Sequence, residues 1–161
     1  MIDYDRVLPL LVEGGVEFIA VGGTAANIHG SARVTSDLDV LYRRSPENIQ
    51  RLVNTLTPLH PYLRGAPPGL PFRWDAETVR RGLNFTLITD AGDLDLLGEM
   101  SGAGTYEDVV SQSTDLPFRG IVFRVVDLET LIKAKRAAGR PKDLDAIAEL
   151  EAIREERESA D

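Results

Sequence analysis

The chain reads as an α/β (α+β) fold: a small mixed β-sheet flanked by helices, with two further helices at the C-terminal end. Three observations lead there. Short runs with strand character alternate with segments whose apolar residues recur at helical spacing. A Gly-Gly pair joins an apolar run to a short helix-sized spacer and then to an Asp-x-Asp strand. Finally, Asp127, Gly139 and Pro141 punctuate two consecutive helical patterns near the end.

The elements follow in order. Asp3 is placed to cap a first helix carrying Val7, Leu10 and Leu11 on one side, ended by Gly14-Gly15. Phe18 to Val21 is a buried strand running into a tight turn at Gly22-Gly23, and Thr24 to His29 is a short helix stopped by Gly30. Asp37 to Tyr42 is the second strand. Ser45-Pro46 supplies a cap and first helical position for a helix bearing Ile49, Leu52, Val53 and Leu56. Five prolines between Pro58 and Pro71, with Gly65 and Gly69, predict a long connection without regular structure, either a lid or a rigid spacer.

Gly82 to Thr89 and Gly92 to Gly98 read as two strands around an Asp90-Ala91-Gly92 turn. Tyr106 to Ser111 suits a short helix, and Phe118 to Val126 a further strand. Asp127 caps a helix reaching Ala138, and Pro141 opens a last helix with Leu144, Ile147, Leu150 and Ile153 apolar. Neither an internal repeat nor a second core is visible. One domain over 1–161 is expected, its core from about 16 to 126 and its helical part from about 127 to 158.

Composition narrows the function classes. Apolar content of 43% and charged content of 27% suit a water-soluble domain, and no run approaches a membrane span. There is no cysteine, which excludes disulfides and thiolate catalysis. A cytoplasmic location is the default expectation. The net charge of −8 argues against extensive duplex nucleic-acid binding. Much of the acid lies beyond Leu144, whereas Lys133 to Asp143 carries five bases against one acid and leaves a local basic surface for a phosphate.

The chemistry concentrates between Val21 and Tyr42. Strand parity turns Asp37 and Asp39 to one face and Leu38, Val40 and Tyr42 to the other. The two carboxylates, about 6.6 Å apart along the strand, can converge on a divalent cation. Gly22 and Gly23 put bare amides at a helix start, where a phosphate can rest. Thr24 could add its hydroxyl. Arg33 and Thr35 share parity with Asp37; Arg33 could neutralise phosphate or pair with an aspartate. A third carboxylate comes from Asp93 or Asp95, which share a strand face, with Glu99 in reserve. Among the later bases Lys135 is the choice for a phosphate contact, followed by Lys142 and Asp143, which could instead form a packing ion pair. His29 reads as a structural helix-end residue, His60 carries no signal, and Trp74 suits core packing.

This combination resembles the nucleotidyltransferase superfamily typified by DNA polymerase β, whose signature is Gly-Gly or Gly-Ser, a spacer, then Asp-x-Asp. His29-Gly30, Arg33, Thr35 and Asp37-Leu38-Asp39, with the stretch Leu131 to Leu144, resemble its bacterial branch of AbiEii-type toxins and small uncharacterised relatives. The resemblance runs from about Val16 to Leu150. It implies Mg²⁺ or Mn²⁺ held by Asp37, Asp39 and Asp95, the last selected because it precedes Leu96-Leu97. It further implies an NTP as substrate, whose phosphates meet Gly22, Gly23, Thr24, Arg33 and Lys135, and an RNA, protein or small-molecule acceptor. The rival expectation is an inactive member serving as a toxin–antitoxin component or protein partner.

Overall fold

In the computed structural model, which describes residues 1–160, seven strands among those residues form a mixed sheet in the order β3-β4-β5-β2-β1-β7-β6. The centre is built first. β1 (Phe18–Val21) pairs antiparallel with β2 (Asp37–Tyr42) and parallel with β7 (Ile121–Val126). β2 in turn pairs parallel with β5 (Gly92–Leu97), and β4 (Phe85–Thr89) lies antiparallel beyond it. At the edges are β3 (Tyr62–Leu63) and β6 (Ser113–Phe118).

Alternation in β2 and β5 puts Leu38, Val40, Leu94 and Leu96 wholly inside. Full burial of each such side chain contributes about 1.5–3 kcal/mol, which fixes which face is left for the aspartates. The helices α1 (Tyr4–Glu13) and α3 (Pro46–Leu56) pack onto this core through Val7, Leu8, Leu11, Leu52 and Leu56. Asp3 and Ser45 cap them as expected, accepting from the backbone N–H of Arg6 and Asn48. The backbone N–H of Ile2 donates to Ser36 at 2.9 Å and that of Asp3 to Ala91 at 2.8 Å, so one N-terminal segment ties together the entries to β2 and β5.

Several elements depart from the sequence reading. Gly22-Gly23 is not a free turn: α2 (Gly22–His29) begins at once after β1, with Gly22 at φ +58°. The strand expected over Phe118 to Val126 is β7, starting at Ile121; the sequence reading missed β6 before it, and the two form a hairpin turned at Arg119-Gly120 with φ values of +46° and +87°. Two successive positive φ values are what a tight hairpin demands, and an arginine is an uncommon first member. The Pro-rich connection is not wholly irregular, because a 3₁₀ turn (Thr57–Leu59) and β3 interrupt it. A short α4 (Ala76–Arg81), capped by Asp75, precedes β4, which starts at Phe85 rather than Gly82.

α5 (Tyr106–Val109) continues as a 3₁₀ turn to Gln112. The C-terminal helices are α6 (Leu128–Ala138), capped by Asp127 and ended at Gly139, and α7 (Asp143–Ala160). The inward stripe of α7 is Asp143, Ala146 and Leu150, and Leu144 is 67% exposed. The expected apolar stripe holds at Leu150 and Ile153 but fails in the first turn, where Asp143 turns inward to meet α6 and the preceding turn and Leu144 is left outside. No helix among the described residues is long and apolar enough to cross a membrane.

Candidate active site

The parallel pairing of β2 with β5 is in register, so Asp37 lies opposite Asp93 and Asp39 opposite Asp95. Neighbouring strands are about 4.8 Å apart, which makes four carboxylates a two-rung ladder on one sheet face. Strand parity predicts each pair; the rungs exist only because the two strands meet in this register. Asp95 is the more enclosed of the two candidates, its side chain 18% exposed against 38% for Asp93, which lies toward the Thr89–Gly92 end of the β4–β5 hairpin.

Asp39 is the electrostatic focus. Burial, a hydrogen bond to the Asp95 side chain and the negative charges of Asp95 and Asp37 push its carboxyl up to about 7, only partly offset by the Gly23 N–H, which donates to Oδ2 at 3.2 Å. Gly22 is required beneath it. A Cβ there would lie 2.2 Å from Asp39 Oδ2, and the positive φ independently favours glycine. Gly23 is similarly tight against Thr35, whose hydroxyl would be 2.8 Å from an added Cβ.

An unexpected residue completes the cluster. Arg64, just after β3, donates its backbone N–H to Thr86 at 2.9 Å and extends its guanidinium over the acid ladder. Nη2 hydrogen-bonds Asp95, and Nη1 is 3.4 Å from Asp93 and 3.7 Å from Asp37. Nη1 is buried and has no hydrogen-bond partner among the described residues. Asp39 is the one rung member that the guanidinium does not pair with among those residues. No local pattern marks Arg64, a single base in a Pro-rich stretch; only an excess of carboxylate needing a counter-cation hints at such a partner.

The phosphate candidates divide. A cavity of about 370 Å³ is lined by Gly23, Asn27, Arg33, Thr35, Lys135, Arg140, Lys142 and Glu149 among others. A second, of about 190 Å³, takes in Gly22, Glu99, Lys135 and Arg140. Gly22, Gly23, Arg33 and Lys135 are therefore brought to cavity walls, with Lys135 shared by both. Thr24 lines neither of these two: it is buried beside a separate apolar hollow, its hydroxyl donating to the Asp37 carbonyl at 3.3 Å beside Tyr4, a structural contact in place of the expected phosphate one. None of the four ladder carboxylates lines either cavity, so the basic and acidic parts adjoin through Gly22-Gly23 rather than sharing one hollow.

α7 holds the basic wall together. Asp143 is buried; against that burial, Arg140 and Lys135 keep its carboxyl below the ordinary range, with Arg140 Nε 2.8 Å and Lys135 Nζ 3.8 Å away. Glu149 accepts from the Ser31 hydroxyl at 2.5 Å and the Ala32 N–H at 3.2 Å, and pairs with Arg33 at 3.6 Å. The ion-pair alternative for Asp143 is therefore realised, and Arg33 pairs with a helix glutamate rather than with an aspartate of the ladder. His29 is structural, its Nε2 2.7 Å from the Val126 carbonyl and Arg157 against Nδ1. Trp74 donates to the Val53 carbonyl and packs against the core.

The donor set suits a hard divalent cation: crowded carboxylate oxygens, one of them with a raised pKa that a nearby dication would relieve. No three His, Cys, Asp or Glu side chains among the described residues are arranged to hold a metal ion. Asp37, Asp39 and Asp95 would have to rearrange around such an ion.

No protein-family profile matches the chain, and no curated protein matches it. Among solved structures, it is similar to a protein from Thermotoga maritima described as a "putative nucleotidyltransferase". The likeness has a TM-score of 0.58 at 15% sequence identity and covers 92% of this chain and 94% of that one. The acid ladder and glycine-started helix are thus carried on a fold that this chain shares with that protein.

Proposed function

We propose that this protein is a nucleotidyltransferase that moves a nucleoside monophosphate from an NTP to an acceptor hydroxyl or phosphate and releases pyrophosphate. The observation that carries the reading is the in-register pairing of Asp37 with Asp93 and Asp39 with Asp95 beside a helix begun by Gly22-Gly23. Asp37, Asp39 and Asp95 would hold Mg²⁺ or Mn²⁺, which when bound neutralises the triphosphate and the charge developing on the leaving pyrophosphate. An acceptor oxygen forms the new bond to the α-phosphorus as the bond to the bridging oxygen of pyrophosphate breaks. Asp95 would help take the acceptor proton, a role supported by its enclosure and its place opposite Asp39. The α2 start, Arg33 and Lys135 bind and orient phosphate, so the chain's contribution is positioning and electrostatics.

Assignment to the AbiEii-type branch belongs to the same proposal and rests on the sequence motifs His29-Gly30, Arg33, Thr35 and Asp37-Leu38-Asp39 with the stretch Leu131 to Leu144. RNA, a protein side chain and a small molecule all satisfy the chemistry as acceptor. Incubation with each labelled NTP, Mg²⁺ and cell extract tests the reading, with label on an extract component and release of pyrophosphate as the expected result. Calorimetry giving the same NTP affinity with metal and with chelator counts against it.

One observation favours a second reading. The Arg64 guanidinium already neutralises part of the ladder, as a purely structural ion network would. A non-catalytic module, acting as a toxin–antitoxin component or protein partner, then follows. Failure of the acid cluster to bind any divalent cation would select it.

A further inference from the structure

The acid ladder holds four carboxylates and one guanidinium, an imbalance that persists when Asp39 is protonated. Arg64 reaches three of the four, and its contact with Asp95 and approach to Asp37 engage two of the carboxylates assigned to the cation. A magnesium ion needs oxygens at about 2.0–2.1 Å with near-octahedral geometry. Such an ion on the Asp95 and Asp37 oxygens would meet the guanidinium at close range, cation against cation.

The fit of Arg64 to its place is also incomplete. Its Nη1 lies between Asp37 and Asp93 without a hydrogen bond, although buried. A guanidinium built only to lock this cluster would fork onto a carboxylate with both nitrogens. The element that presents it lies at the margin of the sheet. β3 is two residues long and lies at the sheet edge, and an added Cβ at the next residue, Gly65 (φ +82°), would meet nothing within 4 Å. Withdrawal of Arg64 therefore disturbs one edge strand and leaves the β2–β5 ladder intact.

We infer that Arg64 is a built-in competitor for the divalent-cation site, a guanidinium that occupies Asp37 and Asp95 until the ion displaces it. This inference rests on the proposed metal site and deepens it, since it names the residue that sets how readily the site loads.

The test is a titration of the full chain with Mn²⁺ alone, following the free-ion signal by electron paramagnetic resonance at low ionic strength. R64A and R64Q are compared with wild type and with K133A, which removes a charge on α6 outside the ladder; R64Q keeps most of the stem. At an effective dielectric near 20, one cation removed from contact with the site should tighten Mn²⁺ binding by at least about tenfold. K133A should bind as wild type, and R64K, which keeps the charge, should stay within about threefold of it. Melting in chelator separates a folding defect from a binding effect. Equal Mn²⁺ affinity of wild type, R64A and R64Q overturns the competitor role while leaving the metal site standing. Absence of binding in all five proteins overturns the metal reading beneath it.

Discussion

Replacing Asp39 by asparagine should stabilise the metal-free protein above neutral pH while abolishing transfer. Asp39 is raised from the ordinary 3.8 to about 7 by burial, by the Asp95 side chain and by the Asp37 charge. A carboxyl displaced that far costs the ionised folded state on the order of 4 kcal/mol at most. Solvent reaching this half-buried group reduces that, so a gain of about 2 kcal/mol is expected for the neutral amide. For a chain of this size it corresponds to about 4–8 °C in Tm. Asparagine is also able to keep the local contacts, its carbonyl accepting from Gly23 and its amide donating to Asp95.

The sign follows from proton binding. Between pH about 4 and about 7 the folded chain holds a proton on Asp39 that the unfolded chain has released, so wild-type stability falls across that window as pH rises. The advantage of D39N should therefore be near zero at pH 4, grow through pH 7 and level off above it. Denaturant unfolding of both proteins in chelator at pH 4.5, 6 and 8 measures this directly. A D39N protein that is less stable than wild type at pH 8, or whose advantage does not change with pH, would refute the electrostatic account of the ladder.

Three further outcomes are expected. D95A should lose nucleotide transfer and D93A should retain much of it, because Asp95 is enclosed and faces Asp39 whereas Asp93 is more open; the reverse result in a labelled-NTP assay would move the centre to the Asp37–Asp93 rung. G22A should cost at least about 3 kcal/mol in denaturant unfolding, since left-handed backbone alone costs about 1–2 kcal/mol and the new Cβ collides with the Asp39 carboxylate. An unchanged midpoint would mean that the turn relaxes. K135A should weaken NTP binding by about tenfold, the loss of one charged hydrogen bond, while leaving Mn²⁺ affinity unchanged; calorimetry reads both.

Local chemistry determined much of what positions the site. The period of two in Asp37–Tyr42 and Gly92–Leu97 settles which face carries carboxylate, because burying Leu38, Val40, Leu94 and Leu96 leaves the acids nowhere else to go. Asp3, Ser45 and Asp127 announce their helices because a cap is a contact between near neighbours in the chain. Gly139 ends α6 for the same kind of reason, adopting φ +62° that other residues resist.

What sequence could not supply was every relation between distant segments. That Asp39 faces Asp95 depends on the register of β2 against β5, and on the N-terminal segment that ties Ser36 and Ala91 to one short stretch. Thr24 turned from an expected ligand into a buried strut because Tyr4 and the Asp37 carbonyl were there to take its hydroxyl. Leu144 faces solvent because Asp143 found Arg140 and Lys135, an ion pair that outweighs the apolar period of a helix end. Arg64 is the extreme case. Its partners lie about thirty residues away on other strands, and an arginine reads the same in sequence whether it meets water or three carboxylates. Parity and caps are short-range physics written residue by residue, whereas charge compensation is decided by whichever segments the folded sheet brings together.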